Sequence, residues 1–262
     1  MKTKILFLIL CVCSLSALGQ KHGKVPRKKA RTERTKSANQ NKPKEEKTKR
    51  VEVESGTDSL TVGNTHRGHE WVDLGLPSGT KWATTNVGAS SPTDFGQYFA
   101  WGETSQKDSY EWNNLKYSID DKGYGFSKYV TDKQYGNVDD RKELEPGDDA
   151  AYVNWGKGWR MPSAEQITEL LQKCTWDWVS EDEYSGFKVV GENGNSIFLP
   201  AAGCRHYSTS TLEGKNGFYW SRTLFSRYCN EALFLHFFWR SCDLYNDARR
   251  SGFNVRAVLD TK

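Results

Sequence analysis

The sequence feature that most constrains this fold is a helix start at Ser163. The Ser163 hydroxyl can accept from the backbone N–H of Gln166, and the Gln166 side chain can reach back, which together make a capping box. In the residues that follow, Ala164–Lys173, apolar side chains recur at the spacing of one helical face. That face consists of Ile167, Leu170, Leu171 and Cys174. The pattern predicts an amphipathic helix that packs against a sheet.

Two hairpins are predicted from turn residues between β-like runs. Residues 70–76 and 80–87 flank Pro77-Ser78-Gly79, and residues 186–190 and 196–200 flank an Asn-Gly dipeptide. The remaining β-like runs are 217–221, 232–238 and 253–259. Strands therefore precede and follow the predicted helix.

The N-terminal residues have the layout of a secretory signal peptide. Two lysines precede an apolar run, and small residues stand before position 20, so we expect residues 1–19 to be removed on export. The run is too short to cross a bilayer comfortably and no second run follows, so no transmembrane span is expected. Lipidation at Cys11 or Cys13 is the alternative, but a bulky residue directly precedes each cysteine.

Residues 20–68 form a basic segment that we expect to be disordered. Thirteen lysines and arginines but only three glutamates fall in 21–50, where few apolar side chains offset the entropy of ordering. By contrast, residues 51–262 hold 22 basic and 30 acidic residues. An acidic folded part disfavours nucleic acid as a partner. The basic segment is either a spacer near an anionic envelope or a solvated linker without a partner.

The predicted folded domain, residues 69–262, resembles a known family. The motifs Gly75-Leu76-Pro77-Ser78-Gly79-Thr80-Lys81-Trp82-Ala83, Tyr98-Phe99-Ala100-Trp101-Gly102-Glu103 and Gly158-Trp159-Arg160-Met161-Pro162-Ser163 carry the resemblance, with further segments at 148–151, 199–203, 217–221, 232–237 and 252–258. Together they resemble the Fibrobacter succinogenes major paralogous (FISUMP) domain, which is abundant in exported proteins of Bacteroidetes. The resemblance implies a C-type-lectin-like fold related to DUF1566 and formylglycine-generating-enzyme-like domains.

The fold class that we expect is therefore α+β. It combines short antiparallel β-sheets with one main amphipathic helix, Ala164–Lys173, in a C-type-lectin-like arrangement. Long loops complete it, including a polar and aromatic-rich excursion over residues 104–144.

A calcium site is the metal hypothesis that the resemblance raises, because many C-type lectins hold a sugar through calcium. Their ligand triplets are absent, and the nearest match is Glu145-Pro146-Gly147-Asp148-Asp149. Clustered carboxylates suit a hard cation, but a solvated acidic turn or a structural hydrogen-bond anchor fits the same residues. The histidines show no zinc-type spacing. We expect no metal and no cofactor.

Catalytic residues are not assigned. The resemblance to formylglycine-generating enzymes implies two nearby cysteines close to the C-terminus, but Cys229 has no second cysteine within a few residues. Ser221, His236 and Asp243 lack a nucleophile-elbow motif. We therefore expect that the protein is not an enzyme.

Disulfide bonds are suggested by the cysteine count of the exported part. The four cysteines allow three connectivities, and their spacing selects none. These residues are Cys174, Cys204, Cys229 and Cys242. The alternative is that Cys174, on the apolar face of the predicted helix, is a small buried hydrophobic residue rather than part of a disulfide.

Residues 222–251 are the candidate ligand-binding region. In 232–238, period-two alternation sends one set of bulky residues to the core and leaves the other packed under a loop or displayed to a partner. Two predicted loops, 222–230 and 240–251, supply tyrosine, arginine and apolar side chains typical of interface hot spots. The candidate binding residues are Leu224, Phe225, Arg227, Tyr228, Phe234, His236, Phe238, Arg240, Tyr245 and Arg249.

The same two loops contain no Lys, Glu, Gln, Met or Trp. Every residue in them can be encoded by mutating the adenines of an AAC codon. This is similar to the variable region of target proteins of diversity-generating retroelements, which share the lectin-like fold. The alternative is that FISUMP loops are habitually rich in Ser, Asn, Tyr and Arg.

The expected function is ligand binding by an exported module located in the periplasm, at the cell surface or in the medium. Aromatic rings suit the faces of sugars and arginine suits carboxylates, so the expected partner is a glycan or a surface protein. The alternatives are a variable retroelement target, a structural or adhesin-like surface subunit and, last, a formylglycine-generating-type oxidase.

Overall fold

The computed structural model describes residues 61, 62 and 64–259. The predicted signal peptide and the basic segment up to residue 60 lie outside the described residues. In the described part, the two α-helices are α1 (Ala150–Trp155) and α2 (Ala164–Lys173). The strands there are β1 (Thr61–Val62), β2 (Thr65–His66), β3 (His69–Asp73), β4 (Lys81–Asn86), β5 (Trp159–Arg160), β6 (Thr175–Ser180), β7 (Ser185–Val190), β8 (Ser196–Pro200), β9 (Cys204–His206), β10 (Thr209–Thr211), β11 (Asn216–Leu224), β12 (Glu231–Phe238), β13 (Ser241–Ala248) and β14 (Arg256–Leu259).

Four antiparallel sheets make up this architecture. The largest has the strand order β1-β2-β3-β4-β14-β5, two three-stranded sheets have the orders β6-β7-β8 and β11-β12-β13, and β9 pairs with β10. The expectation of short antiparallel sheets is confirmed. Sheets dominate the described chain, and helices contribute less than the α+β class suggests.

The first sheet begins earlier than the predicted domain start at His69. Strands β2 and β3 pair with His66 opposite His69. The two residues between them, Arg67 and Gly68, both have positive φ angles, 52° and 81°. Such a pair makes a tight hairpin turn, but arginine rarely adopts this conformation, so the sequence carries no clear signal for the turn.

Helix α2 starts and packs as predicted. The Ser163 hydroxyl accepts from the Gln166 N–H at 3.2 Å, and the Gln166 side chain accepts from the Ser163 N–H at 2.9 Å. Ile167 and Leu170 are buried, and the other two residues of the predicted apolar face pack partly against the same core. The capping box and the apolar spacing are therefore both confirmed.

Helix α1, by contrast, was not predicted. Its N-cap is Asp149, whose carboxylate accepts from the N–H groups of Ala151 and Tyr152 at 2.9 and 3.0 Å. At six residues the helix is too short for apolar periodicity to reveal it. It forms because its first turn is held by a buried carboxylate.

Alternate residues of single strands face two separate cores. On β4, Trp82 packs into the core beneath α2, while Ala83 packs into the other core. On β11, Tyr219 packs into the core beneath α2 and Trp220 packs into the other core. These two strands therefore pack on both faces, although polar residues interrupt their sequences.

The long excursion between β4 and α1 is confirmed as a loop region. Residues 104–144 contain no strand and no α-helix, only two short 3-10 turns. Tyr110, Leu115, Phe126 and Val130 nevertheless form a third apolar cluster within it. The excursion is therefore a packed substructure that carries its own core.

Neither α-helix of residues 64–259 has the length and apolar content that crossing a bilayer requires. Cys174, Cys229 and Cys242 form no disulfide bond. None of the three disulfide connectivities left open by the sequence is adopted. Cys204 and Cys229 are instead buried side chains.

Candidate functional site

One face of the β11–β12–β13 sheet carries a row of aromatic rings that remain partly accessible. The register places Phe218 opposite His236 on the neighbouring strand. The His236 ring centroid lies 4.7 Å from that of Phe218, 6.0 Å from that of Phe238 and 5.6 Å from that of Tyr245. These separations are those of aromatic contacts. We call Phe218, His236, Phe238 and Tyr245 the aromatic face.

Strand alternation builds this face. Leu235 and Phe237 point the other way and are buried in the core beneath α2, as the period-two pattern predicts. A Cβ atom on Gly217 would lie 2.1 Å from the Phe237 ring, so only glycine lets that ring cross the neighbouring strand. With Phe237 fixed on the core side, the residues on either side of it are held on the opposite face.

His236 is a neutral ring in the middle of the aromatic face. Its Nε2 atom lies 2.9 Å from the amide nitrogen of Asn216. Burial lowers the pKa of His236 to about 4. At neutral pH the imidazole therefore behaves as an aromatic ring with one hydrogen-bond donor and one acceptor.

We expect acid to destabilise the fold through His236. The pKa of His236 is lower in the folded chain than in the unfolded chain. The neutral ring therefore makes its full contribution to the stability of the folded state above about pH 6.5, and this contribution is lost as the pH falls toward 4. Denaturant unfolding should show that the free energy of unfolding falls less between pH 7 and pH 4 in His236→Gln than in the wild type. An NMR titration of the His236 ring near pH 6.5 would contradict this expectation.

Three of the ten predicted binding residues are interior side chains. Leu224, Phe234 and Arg249 are 2%, 5% and 0% exposed. The Arg249 guanidinium lies 4.4 Å from the Phe126 ring and donates to the carbonyl of Cys229 at 3.1 Å. These three residues face the core, so the prediction that they contact a ligand is corrected.

Part of the reason for this correction is that strands extend into both predicted loops. Strand β11 continues to Leu224, and residues 241–248, expected as a loop, form β13. All eight residues of β13 pair with β12. The Ser, Asp and Asn residues of β13 are typical of turns, but pairing with a long neighbouring strand outweighs that preference.

The other predicted binding residues do not form a single cluster. His236, Phe238 and Tyr245 belong to the aromatic face, and Arg240 lies in the adjacent turn. Since β12 rises about 3.4 Å per residue, its far end lies about 24 Å away from this turn. Phe225, Arg227 and Tyr228 are in the connection at that far end.

Phe218 and Trp239 were missed by the sequence reasoning. Phe218 stands between Gly217 and Tyr219, and extending the period-two pattern through this motif would have placed it on the aromatic face. Trp239 is 56% exposed, and the Arg240 guanidinium lies 3.9 Å from its ring centroid. An exposed tryptophan beside an arginine is typical of recognition surfaces.

The acidic cluster at residues 145–149 is a structural anchor. Asp148 is buried and accepts from Lys116, Lys128 and two tyrosine hydroxyls at 2.6 to 2.7 Å. Asp149 accepts from Arg160 at 2.8 Å and from backbone N–H groups, and Glu145 pairs with Lys128. Cations and donors already occupy these carboxylates, so the hydrogen-bond anchor replaces the calcium hypothesis. No group of residues that could hold a metal ion occurs among residues 64–259.

Ser221 and Ser251, the second of which lies next to a histidine, are both interior hydroxyls. Ser221 is buried and donates to the carbonyl of Leu233 at 2.7 Å. Ser251 lies 3.4 Å from the Nδ1 atom of His206 but is fully buried. Neither hydroxyl is accessible to a substrate.

Comparison of the chain with models of known protein families, with curated proteins and with solved structures finds no match. The resemblance to FISUMP domains and the C-type-lectin-like fold therefore stay predictions. The aromatic face is the observation from which a function is inferred.

Proposed function

We propose that this protein is an exported, non-catalytic module that binds a glycan or a surface protein through the aromatic face. The observation that supports it is the row of rings at Phe218, His236, Phe238 and Tyr245. Tyr245 is 45% exposed, and Phe218, His236 and Phe238 are half-buried. Apolar surface grouped in this way on a soluble domain commonly marks an interaction site.

The arrangement suits the chemistry of carbohydrate and protein partners. Aromatic rings present flat apolar surface that matches the C–H face of a sugar ring or an apolar side chain. Asn216 adds an amide next to His236, and Asp243 adds an exposed carboxylate opposite it. Strand β13 is paired with β12 along its length, and β11 is paired with β12 over residues 216–220, so the site is rigid before binding.

Membership of the FISUMP family and a C-type-lectin-like fold are part of this proposal. The motifs shared with that family and the antiparallel sheets around one amphipathic helix support it. The signal-peptide pattern of residues 1–19 supports export.

Replacing Phe238 and Tyr245 together with alanine is expected to weaken binding at least about ten-fold, because each truncation removes a ring from the contact surface. The wild type and the variant would be compared on arrays of glycans and of bacterial surface proteins. The matched control replaces Tyr124 and Tyr207, which are exposed elsewhere, with alanine.

The thermal midpoint of Tyr245→Ala alone should stay near that of the wild type, because this ring is the most exposed of the four. Equal binding by wild type and double variant, or equal loss in the control, would contradict the proposal.

A structural or adhesin-like subunit is the main alternative, in which the same rings pack against a neighbouring chain. It predicts stable self-association that Tyr245→Ala abolishes. The variable retroelement target is less well supported, because Arg249 and Ser251 are fully buried within the stretch that would vary. Residues in a packed core tolerate substitution poorly.

A further inference from the structure

A cleft on the β6–β7–β8 sheet is a second candidate site. Its volume is about 460 Å³, which lies in the range of small-molecule sites. It shares no lining residue with the aromatic face. The lining residues are Thr84, Pro92, Thr93, Val179, Tyr184, Lys188, Ser196, Ile197 and Phe198.

Two aromatic rings contribute one wall of the cleft. The rings of Tyr184 and Phe198 meet edge to face, with centroids 5.4 Å apart. A Cβ atom on Gly186 would lie 2.9 Å from the end of the Phe198 ring and 2.2 Å from the carbonyl oxygen of Leu199. Glycine at this position therefore lets the Phe198 ring lie against β7, which holds the apolar wall in place.

The opposite wall is a loop that its own hydrogen bonds hold in shape. Asp94 accepts from the backbone N–H and hydroxyl of Ser90 at 3.1 and 2.6 Å, and from the N–H of Ser91 at 2.9 Å. This carboxylate fixes the turn that presents Pro92 and Thr93 to the cleft. Both walls are formed without a ligand, which lowers the entropic cost of binding.

The polar groups of the cleft suit a neutral ligand. The side chains of Thr84, Lys188 and Ser196 make no hydrogen bond or ion pair within the described part of the chain. Lys188 is the one charged residue of the lining, and the neighbouring turn carries three carboxylates, at residues 181–183. These carboxylates offset the attraction that Lys188 would exert on an anion.

We propose that this cleft binds a neutral sugar ring. The apolar face of the sugar lies against Phe198 and Tyr184. The hydroxyl groups of the sugar form hydrogen bonds with the side chains of Thr84, Ser196 and Lys188. Apolar surface with a few unpaired donors and acceptors is the combination that a polyhydroxylated ring requires. The site is independent of the aromatic face and extends the binding capacity of the protein to a second ligand.

The test is a titration followed by ¹³C-methyl NMR of Val179 and Thr93, two methyl-bearing residues of the cleft lining. The probes are glucose, galactose and mannose at millimolar concentrations, with glucuronate as the charged counterpart of glucose. At least one neutral sugar should shift both signals, and glucuronate should shift them less. The absence of shifts with all three neutral sugars, or a stronger response to glucuronate, would overturn the proposal.

Tyr184→Ala should weaken the affinity about five-fold, because it removes one ring from the apolar wall. Tyr207→Ala is the matched control and should leave the affinity unchanged. Tyr245→Ala should also leave it unchanged, so a failure of this site is distinguishable from a failure of the aromatic face. Full affinity in Tyr184→Ala, with the fold intact by NMR, would overturn the assignment.

Discussion

Replacing Asp149 with alanine is expected to lower the free energy of unfolding by about 4 kcal/mol or more. The carboxylate is fully buried, starts helix α1 through the N–H groups of Ala151 and Tyr152, and pairs with Arg160 at 2.8 Å. Loss of an N-cap costs about 1 to 2 kcal/mol, and removal of one partner of a buried ion pair costs about 3 to 5 kcal/mol. Denaturant unfolding monitored by tryptophan fluorescence measures the change.

The control for this prediction is Asp132→Ala. Asp132 also caps a helical turn, by accepting from the Gln134 N–H at 2.9 Å, but it is exposed and has no cationic partner in the described structure. Its loss should cost about 1 kcal/mol or less. Asp149→Asn, which keeps a capping oxygen but no charge, should fall between the two. Similar losses in Asp132→Ala and Asp149→Ala would show that burial and Arg160 contribute nothing.

Replacing Asp148 with alanine is expected to release the long excursion from the rest of the domain. Both carboxylate oxygens accept bonds from this excursion, from Lys116 and Tyr117 on one side and from Lys128 and Tyr129 on the other. Without Asp148, the buried Tyr129 hydroxyl and the largely buried Lys128 lose these bonds. We expect the free energy of unfolding to fall by about 3 kcal/mol. The ion pair with Lys116 adds little to this loss, because the Lys116 side chain is 44% exposed and solvent screens the pair.

Hydrogen exchange measured by mass spectrometry checks where the Asp148 variant opens. Peptides covering residues 112–135 should exchange faster, while peptides of β11 and β12 should keep their protection. Glu145→Ala is the matched control, because Glu145 also pairs with Lys128 but its side chain is 45% exposed. Unchanged exchange over 112–135 in Asp148→Ala would contradict the anchoring role.

The same carboxylate makes the excursion sensitive to strong acid. Burial raises the pKa of Asp148, but hydrogen bonds from its lysine and tyrosine partners outweigh burial and hold the pKa well below its usual range. Because the folded pKa is the lower one, the stabilisation is complete above the unfolded value near 4 and is lost as the pH falls through the folded pKa. Acid opening of the excursion should therefore occur only below the usual titration range of aspartate.

Helix α2 and the two hairpins show what local sequence signals can predict. The capping box at Ser163, the apolar spacing after it and the Asn-Gly turn before Ser196 each lie within a few residues of the structure they specify. Helix caps and tight turns depend on contacts of this short range. The two faces of β12 were predictable for the same reason, since alternation is a property of the strand itself.

The candidate site was predictable only in part. His236, Phe238 and Tyr245 come together as expected, but Phe234 and Arg249 were assigned to the surface although they are buried. Their burial depends on Phe253 and on Phe126, which are distant from them in the sequence. A residue pattern within 222–251 cannot reveal which of its members such distant side chains cover.

What the sequence by itself determined is the position of α2, the hairpins and the alternating faces of β12, because these follow from caps, turns and periodicity within short segments. Only the tertiary structure decided that residues 241–248 form a strand, that Arg249 lies among aromatic rings and that Asp148 and Asp149 hold lysine and arginine partners. These outcomes depend on which distant segments pack together. Burial and pairing with those segments outweigh the local preference of polar residues for turns and surfaces.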